Sequence, residues 1–258
     1  MKLLKGSELA AFIKERQARQ LRALKARGIQ PKLTIFYDSS SPVIAKYMSL
    51  KERYGADIGV IVEKIQLPPD EVLAQRCLRE KASDPSVHGL IVQLPLDHLG
   101  QNILKEIPAS KDVDGLNGDH DTATASAIHW LLNAYGVNFE QKKIAIVGRG
   151  KLVGAPLERM WKASGYNVTV FEKGDDLNRL KDFDLIVSAT GQPALIQPSM
   201  LRQAAIVVDA GTASEGGIIK GDLAPTVYER DDLTLTPKIG GVGPLTVALL
   251  FDHLLRQL

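Results

Sequence analysis

A strand, a glycine-rich turn and a helix follow one another directly at residues 142–156, and this constrains the fold more than any other feature of the chain. KKIAIVG reads as a strand and GRGKLVGAP as a turn opening a helix. Gly148, Gly150 and Gly154 allow a tight turn and close backbone approach, and Pro156 suits an early helical position. The start of such a helix offers unpaired N–H groups and a positive dipole end to a phosphate. The spacing Gly148-x-Gly150-x-x-x-Gly154 is one residue longer than G-x-G-x-x-G, so alone it is weak. Its strand–turn–helix–strand context favours a dinucleotide site over an empty glycine turn. Glu172 stands at the end of the next strand, 24 residues after Gly148. A carboxylate near that position commonly accepts from the ribose hydroxyls of NAD, although an exposed charge at a strand end is also common. Lys173 beside it can instead receive a phosphate.

Short β-rich runs alternate with helical ones on both sides of this motif. A helix carrying Leu9, Phe12, Ile13, Leu21 and Leu24 ends at Gly28. Strands are expected at 32–37, 58–65 and 87–93, with helices at 42–54, 69–82 and 98–107. Residues 111–121 (KDVDGLNGDHD) read as a loop, followed by a bridging helix at 124–135. After the glycine turn come NVTVFE, DLIVSATG and AAIVVDAG as strands, then the loop GGVGP and a last helix at 245–258 that can pack back on the first lobe. This alternation argues for βαβ units and parallel sheets, an α/β fold of two lobes with a cleft between them.

Composition excludes several classes. With 32 Lys+Arg against 30 Asp+Glu, the formal charge of +2 gives no electrostatic case for nucleic acid. Cys77 is the single cysteine, which rules out an intrachain disulfide or a cysteine-based zinc cluster. His120 and His129 do not have metal-ligand spacing, and Asp119, His120 and Asp121 read as a solvated loop, so no metal is expected. No apolar run approaches a membrane span, and the charged N-terminus lacks the apolar stretch of a signal peptide, so a soluble cytoplasmic protein is expected.

Five blocks, read in order, resemble the bifunctional methylenetetrahydrofolate dehydrogenase/methenyltetrahydrofolate cyclohydrolase family. They are Ser-Pro42-x-x-x-x-Tyr47-x-x-x-Lys51 with Gly59 beyond it; Gly89-Leu-Ile-Val-Gln93-Leu-Pro95-Leu; Lys111-Asp-Val-Asp114-Gly115; Val147-Gly-Arg149-Gly-Lys-Leu-Val-Gly154-Ala-Pro156; and Thr236-Pro-Lys-Ile-Gly240-Gly-Val-Gly243-Pro-Leu-Thr246. The resemblance runs from about Leu3 to the C-terminus. It implies a folate-binding catalytic domain over 1–121, completed by helix 245–258, and a Rossmann-like NAD(P)-binding domain over 122–244 that includes helix 124–135. It also implies a homodimer formed through the cofactor domain. The implied chemistry is oxidation of 5,10-methylenetetrahydrofolate with NAD or NADP, then hydrolysis of the methenyl product to 10-formyltetrahydrofolate, within one-carbon metabolism and purine biosynthesis.

On that resemblance, Lys51, Tyr47 and Gln93 are the catalytic candidates, and Tyr47, Asp114, Gly241 and Pro244 contact the folate. Gly148, Arg149, Gly150, Val153, Gly154, Glu172, Lys173 and Gly191 contact the cofactor. The chemistry suits the residues. Tyr47 and Lys51 are one helical turn apart on one face, so a ring can stack on the folate while a desolvated lysine serves as general acid or base. Gln93 can hold that lysine and orient water, and Asp114 can accept from the pterin amino-pyrimidine edge. Gly240, Gly241 and Gly243 would let backbone approach the ligands, and Pro244 would start the last helix. Taken singly, each also has a plain structural reading: a packing tyrosine, a surface lysine, a strand-end amide, a turn-forming aspartate.

The sequence departs from the family at three points. A longer segment ending in Pro-Cys-Thr-Pro-x-Gly normally follows the Asp-Val-Asp-Gly block, whereas here Gly115 runs almost directly into residues 122–127, implying a more open site or a changed substrate. The family's serine after Gly-Arg is Gly150, which removes a hydroxyl donor near the cofactor phosphates. The family's histidine- and serine-containing segment is Phe171-Glu172-Lys173-Gly174. Arg149 favours NADP, Glu172 disfavours a 2′-phosphate, and the balance leans to NAD. A cyclohydrolase without dehydrogenase activity, and a silent folate- or nucleotide-binding homologue, remain as alternatives.

Overall fold

The structure is a computed structural model that describes all residues except Ser40, Asp119, His120, Gly216 and Gly217, and the side chains of Val43 and residues 213–219 also lie outside it. In chain order the elements are β1 (Lys2–Leu3), α1 (Gly6–Ala26), β2 (Lys32–Tyr37), α2 (Pro42–Ile58), β3 (Ile61–Gln66), α3 (Glu71–Ser83), β4 (Gly89–Val92), α4 (Ala123–Ala134), β5 (Ile144–Val147), α5 (Gly154–Ala163), β6 (Val168–Phe171), β7 (Leu185–Ser188), β8 (Ile206–Asp209), β9 (Ala213–Glu215), β10 (Ile218–Lys220), β11 (Thr234–Leu235) and α6 (Val242–Arg256). They form two compact units. One comprises Ala10–Ala123 with Val247–Leu258, the other Met1–Leu9 with Thr124–Thr246.

The first unit is built on a parallel sheet of order β3-β2-β4. Its central strand buries Leu33, Thr34, Ile35 and Phe36, as expected of a strand covered on both faces. Leu33 and Ile35 face a core with Ile44 and Met48 of α2, Leu21 and Leu24 of α1, and Leu250, Phe251 and Leu254 of α6. Phe36 points the other way, into a cluster with Ala74 and Leu78 of α3 and with Leu90, Val92 and Ile103. The last helix therefore contributes Leu250, Phe251 and Leu254 to the first unit's core.

The second unit carries a parallel sheet of order β1-β11-β8-β7-β5-β6 and a small antiparallel β9–β10 pair. β6 lies on one side of β5 and β7 on the other, so the strand order reverses at β5. That reversal marks the ligand-binding edge of a doubly wound sheet, and the glycine turn leaves the sheet there.

Several boundaries differ from the sequence reading. Ile58 still belongs to α2, which closes at Gly59 in the left-handed conformation (φ 99°), so the strand expected from 58 begins at Ile61. The helix expected at 98–107 is a 3-10 helix, Gln101–Glu106, held by buried Ile103 and Leu104. The final helix begins at Val242 and takes Gly243 and Pro244, read as loop and helix start, into its first turn. The two-residue strands β1 and β11 are too short to leave a periodic signal. No helix among the described residues is long and apolar enough to cross a membrane.

Candidate active site

In the first unit, Ser41 caps α2 by accepting from the Ile44 amide at 3.3 Å, and Pro42 occupies the first turn. The helix then carries half-buried Tyr47 and buried Lys51 one turn apart. Gln93 follows β4 directly. Lys51 Nζ donates to Gln93 Oε1 at 2.8 Å, and the Gln93 amide nitrogen donates to the Leu94 carbonyl at 2.8 Å. With both ends engaged, the Gln93 amide holds the ammonium at a defined point.

Asp114 reaches the same region because residues 111–114 run alongside β4. The Leu90 amide donates to the Lys111 carbonyl at 2.7 Å, and a parallel bridge pairs Leu90 with Asp112. Asp112 then folds the turn: Oδ1 accepts from the Asp114 and Gly115 amides at 3.2 and 2.9 Å, and Oδ2 accepts from Asn117 at 2.8 Å. Lys51, Gln93 and Asp114 are each only 8% exposed. Burial pushes the Lys51 amine below its ordinary pKa, and the Asp114 charge partly restores it. Burial likewise raises the Asp114 carboxyl, opposed by Lys51, reinforced by Asp112 and opposed again by His253. Sequence reasoning missed Asp112 and His253. The Asx-type turn at Asp112 was legible in principle from Asp-Val-Asp-Gly. His253, whose Nδ1 lies 2.9 Å from the accepting Val113 carbonyl, sits 139 positions from Asp114 with no local signal.

The short connection after Gly115 closes tightly. Gly115 has φ 74°, and a Cβ there would lie 2.7 Å from the Asp121 carbonyl oxygen. The Ala123 amide donates to the Asp114 carbonyl at 3.2 Å, tying the start of α4 to the same turn. Asp119 and His120, read as solvated loop, fall outside the described residues. Among the described residues no cluster of His, Cys, Asp and Glu suits a metal.

In the second unit, the glycine turn fits a phosphate. Gly148 has φ 94°. A Cβ on Gly154 would stand 1.8 Å from the Gly148 carbonyl oxygen, so only glycine lets the helix start close on the strand end. One on Gly150 would meet nothing within 4 Å. Val153 occupies the N-cap of α5 without a side-chain hydrogen bond, so the first amides of that helix have no capping side chain. Gly191 turns the chain after β7 with φ 67°. Glu172 and Lys173 are exposed immediately after β6. Arg149 Nε donates to Glu158 Oε2 at 2.8 Å, and Arg149 Nη1 lies 3.6 Å from Glu172 Oε1.

Gly241 and Pro244 also belong to the second unit. The close approach at the Gly240–Gly241 step is to the N-terminal segment: the Ser7 amide donates to the Gly240 carbonyl at 3.0 Å, and a Cβ on Gly6 would lie 2.1 Å from the Gly241 carbonyl oxygen. Gly243 has open space around it, and Pro244 is exposed.

Comparison with known proteins agrees with this geometry. Residues 4–114 match the family model for the tetrahydrofolate dehydrogenase/cyclohydrolase catalytic domain, and residues 122–258 match that for its NAD(P)-binding domain. A relative from Desulforamulus reducens, described as bifunctional protein FolD, is 33% identical over 274 aligned positions, covering 99% of this chain and 96% of its own. That alignment is longer than the chain itself, so the relative carries residues this chain lacks. The crystal structure of the bifunctional FolD enzyme from Campylobacter jejuni matches with a TM-score of 0.92 at 32% identity, covering 100% of this chain and 98% of its own. A Trypanosoma brucei dehydrogenase-cyclohydrolase, solved with NADP and an inhibitor, matches with a TM-score of 0.87 at 27% identity, covering 99% and 96%. By both domain matches and by these relatives, the chain belongs to the tetrahydrofolate dehydrogenase/cyclohydrolase family.

Proposed function

We propose that this chain oxidises 5,10-methylenetetrahydrofolate to the 5,10-methenyl form with NAD or NADP, and hydrolyses that product to 10-formyltetrahydrofolate. The observation that carries the reading is the buried set Lys51, Gln93 and Asp114, with Tyr47 one turn from the lysine on α2. Lys51 serves as general acid and base in hydrolysis. Its depressed pKa brings the neutral amine closer to working pH, where proton transfer is most effective. Gln93 aims the lysine, and Tyr47 stacks on the flat part of the folate. Asp114 accepts hydrogen bonds from the pterin edge, and Gly241 and Pro244 are carried as folate-side residues.

The nicotinamide cofactor supplies the hydride acceptor for the oxidation. Gly148, Arg149, Gly150, Val153, Gly154, Glu172, Lys173 and Gly191 are the residues proposed to hold it, with the phosphates at the uncapped start of α5. NAD is favoured over NADP. Glu172 can accept from both ribose hydroxyls, whereas a 2′-phosphate would meet its charge. The division into a folate-binding domain over 1–121 with 245–258 and a cofactor domain over 122–244, a homodimer formed through the latter, and a cytoplasmic location belong to the same proposal.

The direct test follows methylenetetrahydrofolate oxidation by absorbance with NAD and NADP in parallel, alongside methenyl hydrolysis. Lys51→Met is expected to slow hydrolysis by about 10²–10⁴-fold, the range for loss of a general acid/base. Unchanged turnover in that variant would remove Lys51 from the chemistry. Hydrolysis without oxidation under either cofactor would leave cyclohydrolase activity alone.

A further inference from the structure

Arg149 leaves the glycine turn toward two carboxylates, and only one of them, Glu172, follows from the sequence reading. The other is Glu158, on the second turn of α5. Its side chain is 12% exposed, against 55% for Arg149 and 59% for Glu172. Both of its oxygens are engaged: Oε2 accepts from Arg149 Nε and Oε1 from Lys162 Nζ, each at 2.8 Å. Lys162 is one turn further along the same helix, the favourable order for such a pair. Hydrogen bonds from Lys162 and Arg149 hold the Glu158 carboxyl below its ordinary pKa, so it is charged at neutral pH.

This arrangement uses the guanidinium in a particular way. An arginine grips phosphate best through two parallel N–H bonds from one edge of its fork. Here the Nε edge is taken by Glu158, and Nη1 faces Glu172. Arg149 with these two carboxylates sums to a net negative charge, and Lys162 is itself turned onto Glu158. The cation that would be expected to recruit a 2′-phosphate is thus neutralised from the helix side as well as the strand side.

We propose that Glu158 is a specificity-determining residue for the nicotinamide cofactor: by holding Arg149 through Nε, it withdraws that cation from a 2′-phosphate and selects NAD. The inference rests on the reading of residues 148–154 as the phosphate turn. Glu158 acts through Arg149, so it is a positioning residue, and it discriminates between cofactors without touching the reacting atoms.

Calorimetric titration of the intact protein with 5′-AMP, 2′,5′-ADP, NAD and NADP tests it by binding alone. Glu158→Gln keeps size and removes charge. It is expected to raise 2′,5′-ADP and NADP affinity by about five- to tenfold, the scale of one freed, partly exposed charge pair. Affinity for 5′-AMP and NAD should stay within about twofold, which a general loss of structure would not allow. Combination with Glu172→Ser should enlarge the gain. Glu158→Asp, which keeps the charge but shortens the reach to Arg149, is the second variant and should shift the ratio in the same direction. An unchanged 2′,5′-ADP to 5′-AMP ratio in both Glu158 variants would overturn the proposal. So would a lowered ratio, which would mean that Glu158 aims Arg149 at a phosphate. If the unaltered protein binds none of the four ligands, the phosphate-turn reading fails and this inference fails with it. Tight 5′-AMP binding with an unmoved ratio defeats the inference alone.

Discussion

Asp114 carries a desolvation cost that a neighbouring cation or a bound ligand offsets. Its carboxylate is buried beside Asp112, and Lys51 and His253 are the groups that favour its charge. Asp114→Asn removes the charge while keeping the shape. It is expected to weaken folate binding about tenfold or more, the scale of bonds to a charged acceptor, and to leave adenine-nucleotide affinity unchanged. Fluorescence titration with a folate analogue measures the first and calorimetry the second. An unchanged folate affinity would reduce Asp114 to a turn residue. At this scale the sequence was informative where chemistry is local. Tyr47 and Lys51 share a face because they are four apart on one helix, and Gly154 has to be glycine because the helix start closes on the Gly148 carbonyl. It was silent where chemistry is assembled across the chain: His253 comes from α6, and Glu158 looks like any helix-surface acid until Arg149 is seen to donate to it.

Among the elements, α6 bears most directly on the core of the first unit. Leu250, Phe251, Leu254 and Leu255 pack with Leu33, Ile35 and Ile91 of the three-stranded sheet, and Phe251 stacks on Tyr54 of α2 at 5.1 Å between ring centroids. Leu254 is fully buried. Leu254→Ala is expected to destabilise the protein by about 2–5 kcal/mol, as large-to-small changes in a packed core do. A lower urea midpoint at unchanged slope would show it, whereas a midpoint equal to the parent's would mean that the helix docks loosely. The apolar spacing of α6 was legible, and so was its need for a partner. The sheet it covers was an inference from pattern. The strands β4, β5 and β7 were legible as short apolar runs, because strands buried on both faces carry continuous hydrophobics. The short pair β1 and β11 was not legible, since two residues hold no period and their pairing is fixed by chain segments more than two hundred positions apart.

For the molecule as a whole, the pH response should carry a contribution from the second unit. Asp209, at the end of β8, is pushed up to about 6, chiefly by burial, with backbone amides opposing and Asp222 adding a like charge. Tyr228 also feels the Asp209 charge. A carboxyl whose folded pKa lies above its unfolded value of roughly 3.9 holds its proton more tightly when folded. Its contribution to stability is therefore fully present below about pH 4 and declines as pH rises to about 6, by an amount on the order of 3 kcal/mol. Asp222→Asn keeps an acceptor for Ser188 Oγ and the Thr190 amide while removing the neighbouring charge. Urea midpoints between pH 4 and pH 7 should fall less steeply in that variant than in the parent, and identical slopes would show that the two carboxyls do not communicate. The covalent path carries a different consequence. The polypeptide changes unit between residues 9 and 10, 123 and 124, and 246 and 247. Each unit is therefore encoded in pieces that interrupt the other. A single break at 123–124 would leave one fragment with Tyr47, Lys51, Gln93 and Asp114 but without α6, and the other with the glycine turn and most of its sheet but without the edge strand β1. In this arrangement no contiguous stretch of the chain holds one unit whole without carrying residues of the other.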